Sequence, residues 1–307
     1  MTTTQHDAYL AEELENFQEI AQALKPASGG VPELDGVDIC SASMALNGVI
    51  GGDHLIYLDF KTRYDLKRRI REAEEKGRKE VAENLRRLEH RAGILVADVS
   101  GHRVTDALIA AMLHQAFLLG AYYELDRFGE ITTKLFEHIN QRFFKTTNIN
   151  KYLTMLYGEI SEEGRFRFIS AGHQPPMIFS REFGSFVHIS DEQMVTFPPV
   201  GIFPSNADPD ETVDAGQLGF KARYTVNEID LLAAGDVLLL YTDGLSEHGE
   251  GKYFPAEVES CIADGVDLPA SEICSHLREN LIAYDKPQDD VSFVVIKKTL
   301  PATISSA

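Results

Sequence analysis

The chain has 307 residues, of which 44% are hydrophobic and 25% charged, and its formal net charge is -19. This composition is that of an ordinary soluble globular protein, and the negative charge argues against nonspecific binding to nucleic acid. No continuous apolar run reaches the roughly 20 residues that a membrane helix needs, and the polar, acidic N-terminus does not have the pattern of a signal peptide. We therefore expect a cytoplasmic protein without a membrane segment. The three cysteines have no CxxC spacing, which indicates neither a disulfide scaffold nor a zinc site.

The N-terminal segment predicts an amphipathic helix over residues 7–24, because apolar residues recur there at helical spacing. Pro and Gly residues over 25–32 then indicate a linker. The helix either packs on the domain that follows it or forms a dimerising or regulatory element. We assign residues 1–32 to this helix and linker, and residues 299–307 to a C-terminal tail.

Two strands are predicted next, Val37–Leu46 and His54–Phe60. Two glycines in the connection between them allow a tight turn, so that Asp53 can point into a site. Residues 61–91 then carry twelve Lys and Arg against seven Asp and Glu, and their apolar residues recur every three or four positions. This segment should be largely helical. It is either a solvated helix or a basic arm that recognises an acidic or phosphorylated partner.

A buried strand is predicted at Gly93–Ala97, and it stops on Asp98 before a turn and a helix that opens at Thr105. A carboxylate in this position is held rigidly and can still be reached from solvent. Taken alone, Asp98 could equally be a solvated turn residue. Two helices, Thr105–Tyr123 and Phe128–Phe144, should follow.

A hairpin is predicted from Tyr152–Ile160 and Arg165–Ala171, with a turn at Glu162–Gly164. His173 comes directly after it, and is either a general acid for the leaving oxygen or a hydrogen-bonded structural residue. The remaining predicted elements are strands at 177–180, 237–241 and 291–296 and helices at 254–263 and 270–284.

Carboxylates recur at the edges of these predicted strands: Asp53, Asp98, Asp243, Asp289 and Asp290. Carboxylates that are brought together repel one another unless a cation lies between them. Hard divalent ions with oxygen ligands, Mg²⁺ or Mn²⁺, suit such a cluster. The sequence offers no GxSxG motif and no P-loop, whereas two metal ions can activate water without a covalent nucleophile.

Six motifs carry a family resemblance: GGD (51–53), ADVSGH (97–102), SAGHQPP (170–176), PPVGI (198–202), AAGDVLLLYTDGLSE (233–247) and DDVSFVVI (289–296). In this order they resemble the motifs of the PPM-type, protein phosphatase 2C-like serine/threonine phosphatases. The bacterial sporulation and stress-response branch, of SpoIIE/RsbU type, is the most similar. The resemblance covers about residues 37–298.

The resemblance implies an α+β fold, an α-β-β-α sandwich of two mainly antiparallel sheets flanked by helices. The order of predicted elements agrees with it, because strands and helices do not alternate regularly as in a parallel fold. We expect the phosphatase domain over residues 33–298, with a charged helical insertion at 61–91 that departs from the family pattern.

The resemblance also implies a site that holds two Mn²⁺ or Mg²⁺ ions. Asp98 would bridge both ions, and the backbone carbonyl of Val99 would complete the second position. Asp243 and Asp289 would bind the first ion, and Asp53 would act directly or through water. In the adjacent pair Asp289 and Asp290, Asp289 matches the family's metal ligand, and Asp290 is the alternative ligand. The catalytic residues would be Asp98 and Asp243.

Arg103 lies where the family has small residues. Its guanidinium could bind a substrate phosphate bidentately, or it could pair with Asp106. His102 and Ser100 are expected to orient the loop.

The implied function is a metal-dependent protein serine/threonine phosphatase that hydrolyses its substrate by attack of a metal-bridging hydroxide. The substrate would be a phosphorylated bacterial signalling protein, with an STAS-type anti-anti-sigma factor as the candidate, and the N-terminal helix could form a homodimer. The alternative is a catalytically inactive regulator that keeps the fold to bind a signalling partner. A nuclease or phosphodiesterase is disfavoured by the acidic charge.

Overall fold

The computed structural model of the protein describes isolated residues between 6 and 20, and then residues 30–46, 51–101, 104–146, 152–190, 194–206, 219–231 and 233–299. Most of the predicted N-terminal helix, the residues His102 and Arg103, and nearly all of the predicted C-terminal tail lie outside the described residues.

Two β-sheets form the centre of the fold. In the first, the strand order is β1 (Val37–Met44), β11 (Val291–Lys298), β10 (Val237–Tyr241), β6 (Met177–Ser180) and β7 (Ser185–Val187). In the second, it is β2 (His54–Asp59), β3 (Arg91–Val99), β4 (Leu153–Ser161), β5 (Arg165–Ala171) and β8 (Thr196–Phe197), and β9 (Asn227–Asp230) also pairs with β5. Neighbouring strands are antiparallel apart from β5 and β8, which are parallel.

Helices cover the outer face of each sheet. The helices α1 (Phe60–Arg63), α2 (Leu66–Glu75) and α3 (Lys79–Leu88) follow β2, and α4 (Val104–Phe128) and α5 (Thr133–Thr146) follow β3. These five pack on the second sheet. A short α6 (Asp243–Ser246) follows β10, and α7 (Ala256–Asp264) and α8 (Ala270–Tyr284) pack on the first sheet.

The core has three layers, which explains why the sequences of the central strands are continuous apolar runs. In β10, Leu238 and Leu240 face the second sheet, whereas Val237 and Leu239 face the helices on the outside. A strand that is buried on both faces has no polar alternation. The predicted α-β-β-α sandwich is confirmed.

Several predicted boundaries were wrong. The first long helix continues to Phe128, and the break comes at Gly129, whose φ of +73° suits a helix C-terminus. β3 does not stop before Asp98 but runs through it to Val99, since that end of the strand still pairs with β4. The strands β7, β8 and β9 were not predicted.

The segment of α1 to α3 is packed against the end of α4. Arg78 donates from Nη2 to the backbone oxygens of Asp126 (2.8 Å) and Arg127 (2.5 Å), and Asn84 donates to the oxygen of Phe128 (3.0 Å). A cation at the last carbonyls of a helix satisfies acceptors that have no partner within the helix and complements the helix dipole. This segment therefore caps α4, while most of its charged residues remain at the surface.

One described segment, Asp106–Phe128 in α4, is long and apolar enough by length and composition to cross a membrane, with a mean hydropathy of 1.2. His114 and Gln115 interrupt the apolar run within it. About 28% of this stretch is buried, and its buried side packs against the second sheet through Leu113, Phe117 and Leu125.

Candidate metal centre

The end of β3 and the beginning of β2 place two of the predicted aspartates at one edge of the second sheet. Asp98 is the penultimate residue of β3 and lies opposite Thr154 of β4. His54, the first residue of β2, pairs with Ala97, so that Asp53 enters this edge next to Asp98. Asp53 is buried, with 6% of its surface exposed.

Thr242 connects the two sheets at this edge. It follows β10, and its hydroxyl donates to Oδ2 of Asp53 over 2.8 Å. The same hydroxyl accepts from the backbone N–H of Ser292 in β11. Asp243, the first residue of α6, comes next in the chain. The hydrogen bond from Thr242 thus brings the strand end that carries Asp243 to the strand start that carries Asp53.

Asp290 organises the turn before Asp53. Its two carboxylate oxygens accept from the backbone N–H groups of Leu46 and Gly52, each over 2.7 Å. A Cβ on Gly51 would lie 2.1 Å from Oδ2 of Asp290, and a Cβ on Gly244 would lie 2.0 Å from its backbone oxygen. Such distances exclude a side chain, which accounts for the glycines beside Asp53 and Asp243.

Asp289 and Val99 complete the cluster. Oδ1 of Asp289 accepts from the backbone N–H of Asp290 over 2.8 Å, and the residue is half-buried. The carbonyl oxygen of Val99 faces the turn, since a Cβ on Gly52 would lie 2.7 Å from it and 3.6 Å from Oδ1 of Asp98.

The charges of these aspartates act on one another. Burial, and then the negative charges of Asp243, Asp289 and Asp290, together raise the pKa of Asp98 to about 7. Burial and then the charge of Asp98 raise the pKa of Asp53 well above its usual range. Burial and the charge of Asp289 likewise raise the pKa of Asp243. Within the described ranges, no Lys or Arg forms an ion pair with Asp53, Asp98 or Asp243.

The donor set fits a hard divalent cation in its chemistry. It consists of carboxylate and carbonyl oxygens with excess negative charge, and Oδ1 of Asp53 is buried without a hydrogen-bond partner among the described residues. The set is not a finished ligand shell, because no group of three or more His, Cys, Asp and Glu in the described part of the chain is arranged to hold a metal ion. Asp290 in particular uses both oxygens on backbone N–H groups.

Two histidines near this edge have structural partners. His173 is buried, hydrogen-bonded through Nδ1 to the hydroxyl of Thr154 (2.9 Å), and burial lowers its pKa to about 4. It is therefore neutral near pH 7, which favours the structural interpretation over the general acid. His54 contacts Nδ1 of His114 in α4 through Nε2 over 2.8 Å.

Sequence reasoning did not find Thr242, His54 or His114. Thr242 lies in the TDG motif, which could have indicated that it belongs to the site. No sequence pattern connects His54 with His114. Ser100 accepts from the backbone N–H of Tyr152 (3.1 Å), as expected for a residue that orients the loop. His102 and Arg103 lie outside the described residues.

The two stacked sheets, with helices outside and aspartates gathered at one edge, define a protein phosphatase 2C-like fold. The solved SiaA-PP2C domain of Pseudomonas aeruginosa matches with a TM-score of 0.62 at 15% identity, over 97% of this chain and 99% of that domain. A match to the family model "Stage II sporulation protein E (SpoIIE)" covers residues 88–299. The chain belongs to the SpoIIE family.

Two curated relatives come from Bacillus subtilis (strain 168). Phosphoserine phosphatase RsbP is 27% identical over 213 residues, which are 68% of this chain and 46% of RsbP. Phosphoserine phosphatase RsbU is 21% identical over 211 residues, 67% of this chain and 55% of RsbU. The chain thus spans about half the length of these relatives.

Two further solved structures of this fold contain metal ions. RsbX in complex with magnesium has a TM-score of 0.52 at 15% identity, over 87% of this chain and 98% of RsbX. The catalytic domain of the serine threonine protein phosphatase PstP with two manganese ions has a TM-score of 0.50 at 13% identity, over 86% of this chain and 99% of that domain.

Proposed function

We propose that this chain is a protein serine/threonine phosphatase that depends on two Mn²⁺ or Mg²⁺ ions. The observation that carries the proposal is the gathering of Asp53, Asp98, Asp243 and Asp289 at one edge of the sandwich, where their charges raise the pKa values of their neighbours. The metal ions bound by RsbX and PstP support the choice of cofactor. The names of RsbP and RsbU support the choice of substrate, a phosphoserine or phosphothreonine in a protein.

The residues divide into ligands and positioning groups. Asp98 and Asp243 are the catalytic ligands, and Asp53, Asp289 and the carbonyl of Val99 complete the coordination. When bound, the ions supply an activated water and neutralise phosphate charge. Thr242 holds the carboxylate of Asp53 through its 2.8 Å hydrogen bond.

Asp290 is assigned a positioning role. Both of its oxygens accept backbone N–H groups of the turn, at Leu46 and Gly52, whereas the half-buried Asp289 raises the pKa of both Asp98 and Asp243. A direct ligand role therefore suits Asp289 better than Asp290. Arg103 remains a proposed contact for the substrate phosphate.

The substrate is proposed to be a phosphorylated bacterial signalling protein in the cytoplasm, with an STAS-type anti-anti-sigma factor as the candidate. Support comes from the likeness to RsbP and RsbU and, in fold, to the RsbU and RsbW domains of Rv1364c from Mycobacterium tuberculosis. A homodimer through the N-terminal helix is part of the same proposal.

Substitution of the ligands tests this function. Asp98→Asn and Asp243→Asn should abolish hydrolysis of p-nitrophenyl phosphate and of a phosphoserine protein in the presence of Mn²⁺, while circular dichroism shows an intact fold. Asp267→Asn is the matched control, because this exposed residue pairs with Arg181 at the surface. Turnover like that of the wild type in either ligand variant would refute the assignment.

The second candidate function is a catalytically inactive regulator with the same fold. Calorimetric titration with Mn²⁺ beside the turnover assay separates the two functions, since a regulator would give no turnover whether or not it binds the ion.

A further inference from the structure

Two histidines join the helix layer to the strand that follows Asp53. Nε2 of His54, the first residue of β2, lies 2.8 Å from Nδ1 of His114 in α4. The two ring centroids are 5.0 Å apart, and the rings meet edge to face at 70°. His54 is buried and His114 is half-buried. The contact is therefore largely shielded from water, and a hydrogen bond in such surroundings is stronger than one in solvent.

The pleat of β2 directs His54 and Asp53 to opposite faces of the second sheet. Successive side chains of a strand alternate between its two faces, and here Leu55 packs between the two sheets whereas Ile56 packs in the helix layer. His54 accordingly points to α4. Asp53 points to the first sheet, where the hydroxyl of Thr242 donates to it over 2.8 Å. The start of β2 is thus held from both sides.

The helix α4 is also connected to the strand that carries Asp98. β3 ends one residue after Asp98, and α4 begins at Val104 after the turn that follows. The same helix therefore follows the strand end that carries Asp98 and, through His114, contacts the strand start next to Asp53. The position of α4 should affect both carboxylates.

The histidine pair can form a hydrogen bond between neutral rings. Burial, and then the positive charge of Arg63, lower the pKa of His114. A neutral imidazole has one N–H donor and one acceptor nitrogen, so one ring donates and the other accepts across the 2.8 Å contact. A leucine in place of His114 would leave the nitrogen of His54 facing an apolar side chain, and a buried polar group without its partner costs free energy.

We propose that His54 and His114 are positioning residues for Asp53, and that their contact sets the affinity of the candidate metal centre for its cation. Oδ2 of Asp53 is fixed by Thr242, whereas Oδ1 is buried without a hydrogen-bond partner among the described residues. Oδ1 is the oxygen left for a cation, and its direction depends on how the start of β2 is held. Loss of a group that supports a metal ligand typically weakens the affinity about 10–100-fold. This inference rests on the proposed function.

The experiment is calorimetric titration of the metal-free full chain with Mn²⁺, well below the melting temperature, which is measured for each variant as well. His114→Leu should bind Mn²⁺ about tenfold more weakly than the wild type. His114→Asn should bind like the wild type, because its amide group takes the position of Nδ1 and can pair with His54. The matched control is His138→Leu, at an exposed histidine of α5, which should also bind like the wild type.

A double variant separates the contact from general loss of stability. His54→Leu with His114→Leu leaves no unpaired nitrogen and lets two apolar side chains pack together, so it should fold even if a single variant does not. Because each substitution removes the same contact, the double variant should bind Mn²⁺ about tenfold more weakly, as each single variant does, and not about 100-fold.

Two results would overturn the inference alone. The first is binding of Mn²⁺ like that of the wild type by His114→Leu or by the double variant, whatever the melting temperature, since the pair would then serve only stability. The second is binding by His114→Asn that is as weak as that of His114→Leu. A wild type that binds no Mn²⁺ would overturn the proposed function, and this inference with it.

Discussion

The buried ion pair between Glu137 and Lys221 gives the sharpest prediction about stability. Oε2 of Glu137, in α5, accepts from Nζ of Lys221 (2.7 Å) and from the hydroxyl of Ser205 (2.5 Å), and Oε1 accepts from the backbone N–H of Tyr224 (2.7 Å). The side chains of Glu137 and Lys221 are 6% and 1% exposed. The pair ties α5 to the segments on either side of residues 207–218.

The change Glu137→Gln keeps the shape of the side chain and removes its charge, so that the ammonium of Lys221 stays buried without a counter-charge. Removal of one partner of a buried pair costs about 3–5 kcal/mol, a large part of the 5–15 kcal/mol that typically stabilises a protein. Replacement of both partners, with Glu137→Gln and Lys221→Met, leaves no unpaired charge. The double variant should therefore lose less than the sum of the two single losses.

Equilibrium unfolding in urea, followed by circular dichroism, measures these losses as a lower midpoint at an unchanged slope. The matched control is Glu72→Gln, because Glu72 and Arg68 form a pair of the same 2.7 Å separation at the surface. It should unfold close to the wild-type midpoint. A loss below about 1 kcal/mol for Glu137→Gln, as at a surface pair, would refute the reasoning.

Two further predictions concern the surroundings of the candidate metal centre. The folded pKa of His173, about 4, lies below the usual value of about 6.5, so the unfolded chain takes up the proton first and stability falls as the pH drops from 6.5 towards 4. The variant His173→Asn should lack this component, so the difference in free energy of unfolding between the wild type and the variant, measured in urea, should shrink by roughly 2 kcal/mol between pH 7.5 and pH 5. A difference that stays constant with pH would contradict this prediction. Gly244→Ala should lower both phosphatase activity and melting temperature, because its Cβ would lie 2.0 Å from the backbone oxygen of Asp290. Gly184→Ala, where no atom lies within 4 Å of the added Cβ, should leave the phosphatase activity unchanged.

The parts of the fold that the sequence predicted are those with strong local patterns. The buried strand β10 and the helix α8 were predicted with their observed bounds, because each has a continuous apolar run or a clear helical period. The strands β7, β8 and β9 were missed since they have two to four residues each and stand at or near sheet edges. Their pairing depends on tertiary contacts, which propensity does not encode.

The sequence motifs predicted which residues belong to the candidate site, but they did not predict the hydrogen bonds between those residues. Glycines and aspartates in a fixed order indicated which residues belong to one edge of the sandwich. The hydrogen bond from Thr242 to Asp53 joins residues 189 positions apart, and the bonds of Asp290 to the turn at Gly52 span 238. Such distances along the chain leave no periodic signal, so only the fold could reveal them.

The adjacent pair Asp289 and Asp290 illustrates how one motif can serve two physical tasks. A carboxylate that accepts two backbone N–H groups is fixed in place, and Asp290 fixes in turn the segment that leads to Asp53. Asp289 accepts the N–H of Asp290, stays half-buried, and adds negative charge beside Asp98 and Asp243. Loss of Asp289 should therefore act through charge, whereas loss of Asp290 should also displace the turn that leads to Asp53. The two aspartates cannot replace each other, because a carboxylate whose oxygens both hold backbone N–H groups has its orientation set by the turn.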